Sequence, residues 1–160
     1  MATLPQLIEE DIRKLDEILR EFLAQTDATV ALVMDKGGFL ITHQGAPGEM
    51  DLTTIGALSS GAFLASQTIA GLVNEKDFHH TALQGEQSSL FTINVDEQCL
   101  LVVVFPSRTG IGVVKYFSAW AVNGLARQLA EARERNPGGG VDLSELNVAD
   151  ARDFFRKKTE

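Results

Sequence analysis

The chain runs from residue 52 to residue 74 without one charged side chain or histidine. Asp51 or Thr53 can cap a helix that begins here and continues to about Val73. Its Thr, Ser, Gln and Gly residues make the stretch too polar for a membrane span. A helix that covers one face of a sheet normally turns Lys and Glu to water. This helix is therefore predicted to be covered by protein on a second side as well.

Two stripes of residues at steps of three and four follow this predicted helix. The apolar stripe is predicted to face the sheet: Ile55, Leu58, Ala62, Ala65, Ile69 and Leu72. The other stripe combines small and polar residues: Thr54, Ala57, Gly61, Leu64, Thr68 and Gly71. Because interface cores are depleted of charge, we expect this second stripe, with Ser60 and Gln67 beside it, to form a protein interface. Burial within a single domain is the alternative, but about 135 residues leave little material to wrap all sides.

The rest of the pattern predicts a layered α/β domain. Helical periodicity covers residues 7–23 and 111–135, and β segments cover residues 29–34, 39–44, 78–84, 89–95 and 99–105. Gly37 and Gly38 tolerate the positive φ of a hairpin between the first two strands. The order α-β-β-α-β-β-β-α predicts an α+β sandwich, in which a five-stranded antiparallel sheet has helices on both faces.

A change of composition near residue 136 ends the predicted domain, which spans residues 1–135. Pro137 cannot extend a helix and three glycines follow it, so residues 136–141 are predicted to be a flexible linker. Residues 142–160 regain helical periodicity, with acids first and Arg156-Lys157-Lys158 last, as a helix dipole favours. This tail is predicted to be a short helix that folds on a partner or a disordered end.

The sequence predicts no catalytic site, metal or cofactor. A net charge of −8 argues against a nucleic-acid binder, and one cysteine excludes an internal disulfide or a Cys-based zinc cage. Ser59 approximates a nucleophile elbow but lies within a predicted helix rather than after a strand. His79 and His80 are adjacent on a predicted strand, so they point to opposite faces and cannot easily share an ion with Asp77. The amino terminus lacks the pattern of a signal peptide, so the protein is predicted to be cytoplasmic.

Four motifs in order resemble a known family. They are Asp35-Lys36-Gly37-Gly38-Phe39-Leu40-Ile41, Leu58-Ser59-Ser60-Gly61-Ala62, Leu101-Val102-Val103-Val104-Phe105 and Arg108-Thr109-Gly110-Ile111-Gly112-Val113-Val114-Lys115. With the order of elements, they make residues 7–133 similar to the roadblock (dynein light chain type) domains of roadblock/profilin-like fold. Within that family, the chain most resembles the MglB-type regulators of Ras-like GTPases.

The resemblance implies a homodimer whose second helices pack together and whose edge strands join, with Phe78, His80 and Ala82 on that edge. It implies that the paired helices bind a small Ras-like GTPase of the MglA type, in cell polarity or motility. The regulator would stimulate GTP hydrolysis by positioning the switch regions, and the GTPase would supply its own arginine.

Two further residue groups follow from the same resemblance. Arg108 is interpreted as a connector residue that bonds backbone carbonyls or an acid, not as an arginine finger. In the tail, Phe154, Phe155 and Arg156 are predicted to make a second contact with the GTPase. Two other functions stay open: a roadblock scaffold that tethers a GTPase without altering hydrolysis, and a small-molecule sensor domain.

Overall fold

The computed structural model describes residues 4–135, which form three α-helices, a short 3₁₀ helix (Ser107–Thr109) and five strands. The helices are α1 (Glu9–Thr26), α2 (Leu52–Leu72) and α3 (Ile111–Arg135). The strands are β1 (Val30–Asp35), β2 (Leu40–Gly45), β3 (His80–Gln84), β4 (Ser88–Asn94) and β5 (Cys99–Pro106). The predicted order of elements is confirmed. The predicted linker and tail, residues 136–160, lie outside the described residues.

The five strands form one antiparallel sheet in the order β2-β1-β5-β4-β3. β1 and β5 lie in the interior of the sheet and are buried on both faces. Ala31 and Val33 pack with α1 and α3 on one face, whereas Leu32 and Met34 pack with α2 on the other. This two-sided burial explains why β5 is an unbroken apolar run in the sequence.

Two glycines adopt the positive φ angles that the β1–β2 turn and the end of β2 require. Gly38, in the turn, has a φ of 101°, and the backbone N–H of Gly37 donates to Oδ1 of Asp35 at 2.6 Å. Gly45, at the end of β2, has a φ of 118°, and a Cβ there would overlap the carbonyl oxygen of Thr29. The predicted hairpin is confirmed, and each strand lies one residue later than the sequence indicated.

A buried carboxylate joins α1 to α3. Asp11 is fully buried and accepts hydrogen bonds from the backbone N–H of Ile8 at 2.9 Å and from Nε2 of Gln128 at 2.8 Å. The guanidinium of Arg135, the last residue of α3, also bonds the Asp11 carboxylate. The end of α3 is therefore held beside the first turn of α1. Ile8, predicted within the helix, instead precedes it as the N-cap residue.

Candidate functional site: the exposed face of α2

α2 covers one face of the sheet with a narrow strip of small residues, one leucine and one aromatic side chain. Asp51 caps the helix, and its Oδ1 accepts the backbone N–H of Thr54 at 3.2 Å. The buried residues of the helix are Leu52, Gly56, Ser59, Ser60, Phe63 and Ala70. A Cβ at Gly56 would overlap the side chain of Met34 on β1, so the helix approaches the sheet closely at this point. The predicted cap at Asp51 is confirmed.

The predicted sheet-facing stripe of α2 is wrong. Leu58, Ile69 and Leu72 are 70%, 51% and 79% exposed, and Ala62 and Ala65 are exposed too. Phe63 and Leu52 pack in the core on this face instead, and the small buried residues Gly56, Ser59 and Ser60 allow a closer approach than leucine would. Ile55 is the one member of that stripe that packs against the core on the α2 face.

The remaining circumference of α2 divides into two exposed arcs that carry no charge. At about 100° per residue, the apolar arc comprises Leu58, Ala62, Ala65, Ile69 and Leu72. The small-residue arc lies next to it and comprises Thr54, Ala57, Gly61, Leu64, Thr68 and Gly71. All six residues of the small-residue arc are exposed, and a Cβ at Gly61 or Gly71 would meet no atom within 4 Å.

Two residues predicted at the interface point into the protomer instead. Ser60 is buried, and its hydroxyl donates to the carbonyl oxygen of Lys36 at 2.7 Å. Gln67 is half-buried and bonds both backbone groups of Phe78: Nε2 donates to its carbonyl at 2.9 Å, and Oε1 accepts its N–H at 3.1 Å. These side chains tie α2 to the β1–β2 turn and to the segment before β3.

The edge strand β3 lies beside α2. It begins at His80, so Phe78 precedes the strand because the Gln67 amide holds its backbone groups. Within the described residues, β3 pairs only with β4, and its other edge is open. The ring of His80 lies 5.0 Å from that of Phe91, and burial lowers the pKa of His80, with Lys115 and His79 adding to the effect. Ala82 is exposed.

The sequence reasoning missed Leu83, which is 63% exposed on β3. It lines a groove of about 330 Å³ together with Ile55 of α2, Leu90 and Val104. The groove joins the exposed helix to the edge strand on one face of the sheet. An apolar residue in a strand without a second partner is the signal that could have identified it.

Three other residues of the sequence motifs and of β5 have distinct environments: Arg108, Cys99 and Lys36. Arg108 is exposed in the turn before α3 and forms no hydrogen bond or ion pair with any residue of 4–135, so its predicted anchoring is wrong. Burial raises the pKa of the Cys99 thiol well above its usual value. Lys36 donates through Nζ to the carbonyl of Asp96 at 2.8 Å, and desolvation lowers its pKa.

By length and mean hydropathy (1.3), α2 could cross a membrane, and 28% of its most apolar window is buried. Its cap and its packing against the sheet are those of a helix that covers one face of a sheet. An uncharged face of this width is unusual for such a helix, because surface helices carry charged residues toward water. Large exposed apolar surfaces mark sites of protein interaction.

Comparison with known proteins agrees with this arrangement. The Roadblock/LC7 domain model matches residues 14–105. The structure of the gliding protein MglB from Thermus thermophilus aligns with a TM-score of 0.75 and 32% identity, over 82% of this chain and 99% of that one. Myxococcus xanthus MglB aligns with a TM-score of 0.73 and 27% identity, over 79% and 96%.

The similarity extends to archaeal sequences. An uncharacterized protein of Methanocaldococcus jannaschii is 26% identical over 101 residues, which cover 63% of this chain and 87% of that protein. The family model spans more than half of the chain, and β1 to β5 and α2 all fall within it, apart from the last residue of β5. The chain therefore belongs to the Roadblock/LC7 domain family.

Proposed function

We propose that this protein is a homodimeric, cytoplasmic regulator that binds a small Ras-like GTPase of the MglA type and stimulates its GTP hydrolysis. The observation that carries the proposal is the exposed, uncharged face of α2 on a domain similar in structure to MglB. Cell polarity or motility is the process that the resemblance implies.

The dimer uses the apolar arc of α2 and the open edge of β3. The apolar arc exposes three large apolar side chains to solvent in the protomer: Leu58, Ile69 and Leu72. Burying them against a second copy is therefore favourable. Leu83 continues this surface onto the edge strand. A two-fold axis beside β3 would bring two open edges together and pair backbone groups that have no partner within residues 4–135.

The GTPase binds the small-residue arc. Gly61 and Gly71 offer open space to an approaching backbone, and Thr54 and Thr68 supply hydroxyl groups without the desolvation cost of charges. The protein acts by holding the switch regions in the conformation that hydrolyses GTP, so it needs no catalytic group of its own. Phe154, Phe155 and Arg156, outside the described residues, make a second contact.

The Gly61→Arg variant tests this function. Arginine has a higher helix propensity than glycine, and a Cβ at Gly61 meets nothing, so the domain should fold normally. The matched control is Gly112→Arg, a glycine of α3 with equally open surroundings on the other side of the sheet. We expect Gly61→Arg to abolish the stimulation of GTP hydrolysis and the control to retain it.

Two measurements separate the outcomes. Single-turnover GTP hydrolysis by a purified MglA-type GTPase reports activation, and sedimentation velocity reports assembly with the GTPase and with a second copy. If the wild-type protein binds the GTPase without changing its hydrolysis rate, activation is wrong and a tethering scaffold is the correct function. If Gly61→Arg binds the GTPase as the wild type does, the small-residue arc is not the GTPase-binding surface.

A further inference from the structure

A second candidate surface lies on the opposite side of the sheet, between α1 and α3. A groove of about 600 Å³ runs between the two helices. Trp120 is 43% exposed in it, and Gly124 forms its floor beside Ile18. Tyr116, one turn before Trp120, is 74% exposed. Tryptophan, tyrosine and arginine are the residues that most often dominate binding energy at protein interfaces.

The groove carries more cationic than anionic side chains, whereas the whole chain is acidic. Arg13, Lys14 and Arg127 line it with Glu17 and Glu21, although the chain carries a net charge of −8. The carboxylate of Glu17 is already paired with Arg13. Neither Arg127 nor Glu21 forms an ion pair or hydrogen bond within residues 4–135. The groove therefore presents three cations and two carboxylates beside an aromatic ring, and this excess of positive charge suits an apolar segment that carries carboxylates.

The chain itself continues from the end of this groove. The Arg135–Asp11 contact fixes the last residue of α3 beside the first turn of α1. Trp120 lies 15 residues before that point, which is about 22 Å along a helix. Leu143 lies eight residues after Arg135, and eight extended residues can span at most about 28 Å. The segment that begins at residue 141 is therefore long enough to double back into the groove.

We propose that the groove between α1 and α3 is the docking site of the chain's own segment 141–148. This segment, Val-Asp-Leu-Ser-Glu-Leu-Asn-Val, alternates apolar residues with two acids. Leu143 and Leu146 contact Trp120, and Asp142 or Glu145 pairs with Arg127. A tether of a few residues gives an effective concentration of about 1 mM, so a contact with a dissociation constant of about 100 μM is mostly formed. The docked segment limits where the tail residues 154–156 can reach.

Trp120 reports on this contact directly, because the chain has one tryptophan. The measurement is acrylamide quenching of Trp120 fluorescence in the full-length protein. Arg127→Glu should release the segment and raise the quenching constant about twofold, with a red shift of the emission. Arg133→Glu is the matched control, since Arg133 is an exposed arginine of α3 that does not line the groove, and it should leave quenching unchanged.

Two further variants make the test specific for the segment. Leu143→Ser combined with Leu146→Ser should raise quenching as much as Arg127→Glu does, while circular dichroism shows an unchanged helix content. Asp142→Arg and Glu145→Arg placed together with Arg127→Glu should restore the wild-type value. Quenching that is equal in the wild type and all variants overturns the proposal. A quenching constant that falls with rising protein concentration also overturns it, because a second copy would then fill the groove. None of these readouts involves a GTPase.

Discussion

Leu58→Ala should weaken self-association strongly while leaving the protomer folded. Leu58 is 70% exposed on the apolar arc of α2, so most of its side chain remains available for burial against a partner. Fully burying a leucine contributes about 1.5–3 kcal/mol, so covering the exposed part contributes about 1–2 kcal/mol. A two-fold interface contains this contact twice. The expected loss is therefore about 2–4 kcal/mol per dimer, which is about a 30- to 1,000-fold weaker dissociation constant.

Sedimentation equilibrium across a concentration series measures this constant. Alanine is the best helix former, and the replaced side chain touches little within the protomer, so thermal unfolding of the isolated protomer should change by less than about 0.5 kcal/mol. Val113→Ala is the control, because Val113 is 42% exposed on α3, away from the proposed interface. A Leu58→Ala dissociation constant within about threefold of the wild-type value would refute the assignment of the apolar arc to the dimer.

Three other predictions concern stability. Asp11→Ala should lower the free energy of unfolding by about 2–4 kcal/mol in urea denaturation, because it leaves the amide of Gln128 buried without its acceptor; a loss below about 1 kcal/mol would contradict this. Gly45→Ala should lower the free energy of unfolding by about 2–4 kcal/mol, because a Cβ there meets a backbone carbonyl at a φ of 118°. Gly48→Ala, at positive φ in open space, should lower it less. Equal losses of stability would contradict the steric argument. The pKa of His80 is lowered in the folded state, so the stability it contributes is present above its unfolded pKa of 6.5 and lost as the pH falls below it. His80→Gln should therefore make the urea midpoint of unfolding depend less on pH in that range. An unchanged pH dependence would show that His80 is not its source.

The positions of the strands along the chain follow from local patterns in the sequence, whereas their order in the sheet depends on long-range pairings such as that of β1 with β5. Gly37 and Gly38 indicate the β1–β2 turn, and the apolar run of β5 indicates a strand covered on both faces. Both patterns are formed by residues that are close in the sequence, so the turn and the strand can be predicted without knowing any long-range contact. The start of β3 could not be read in this way. It depends on the Gln67 amide, which holds Phe78 from a different element.

The absence of charge from residues 52–74 predicts an interface on α2 from the sequence alone, because exposure to water would normally require ionic side chains there. Which arc of α2 faces the sheet was decided only by the tertiary structure. All of its arcs are uncharged, so periodicity could not separate a core face from a partner face. The choice depends on Gly56, which lets the helix close on Met34 and turns Leu58 and Leu72 outward. Contacts between residues so far apart in the chain arise only when the sheet has formed.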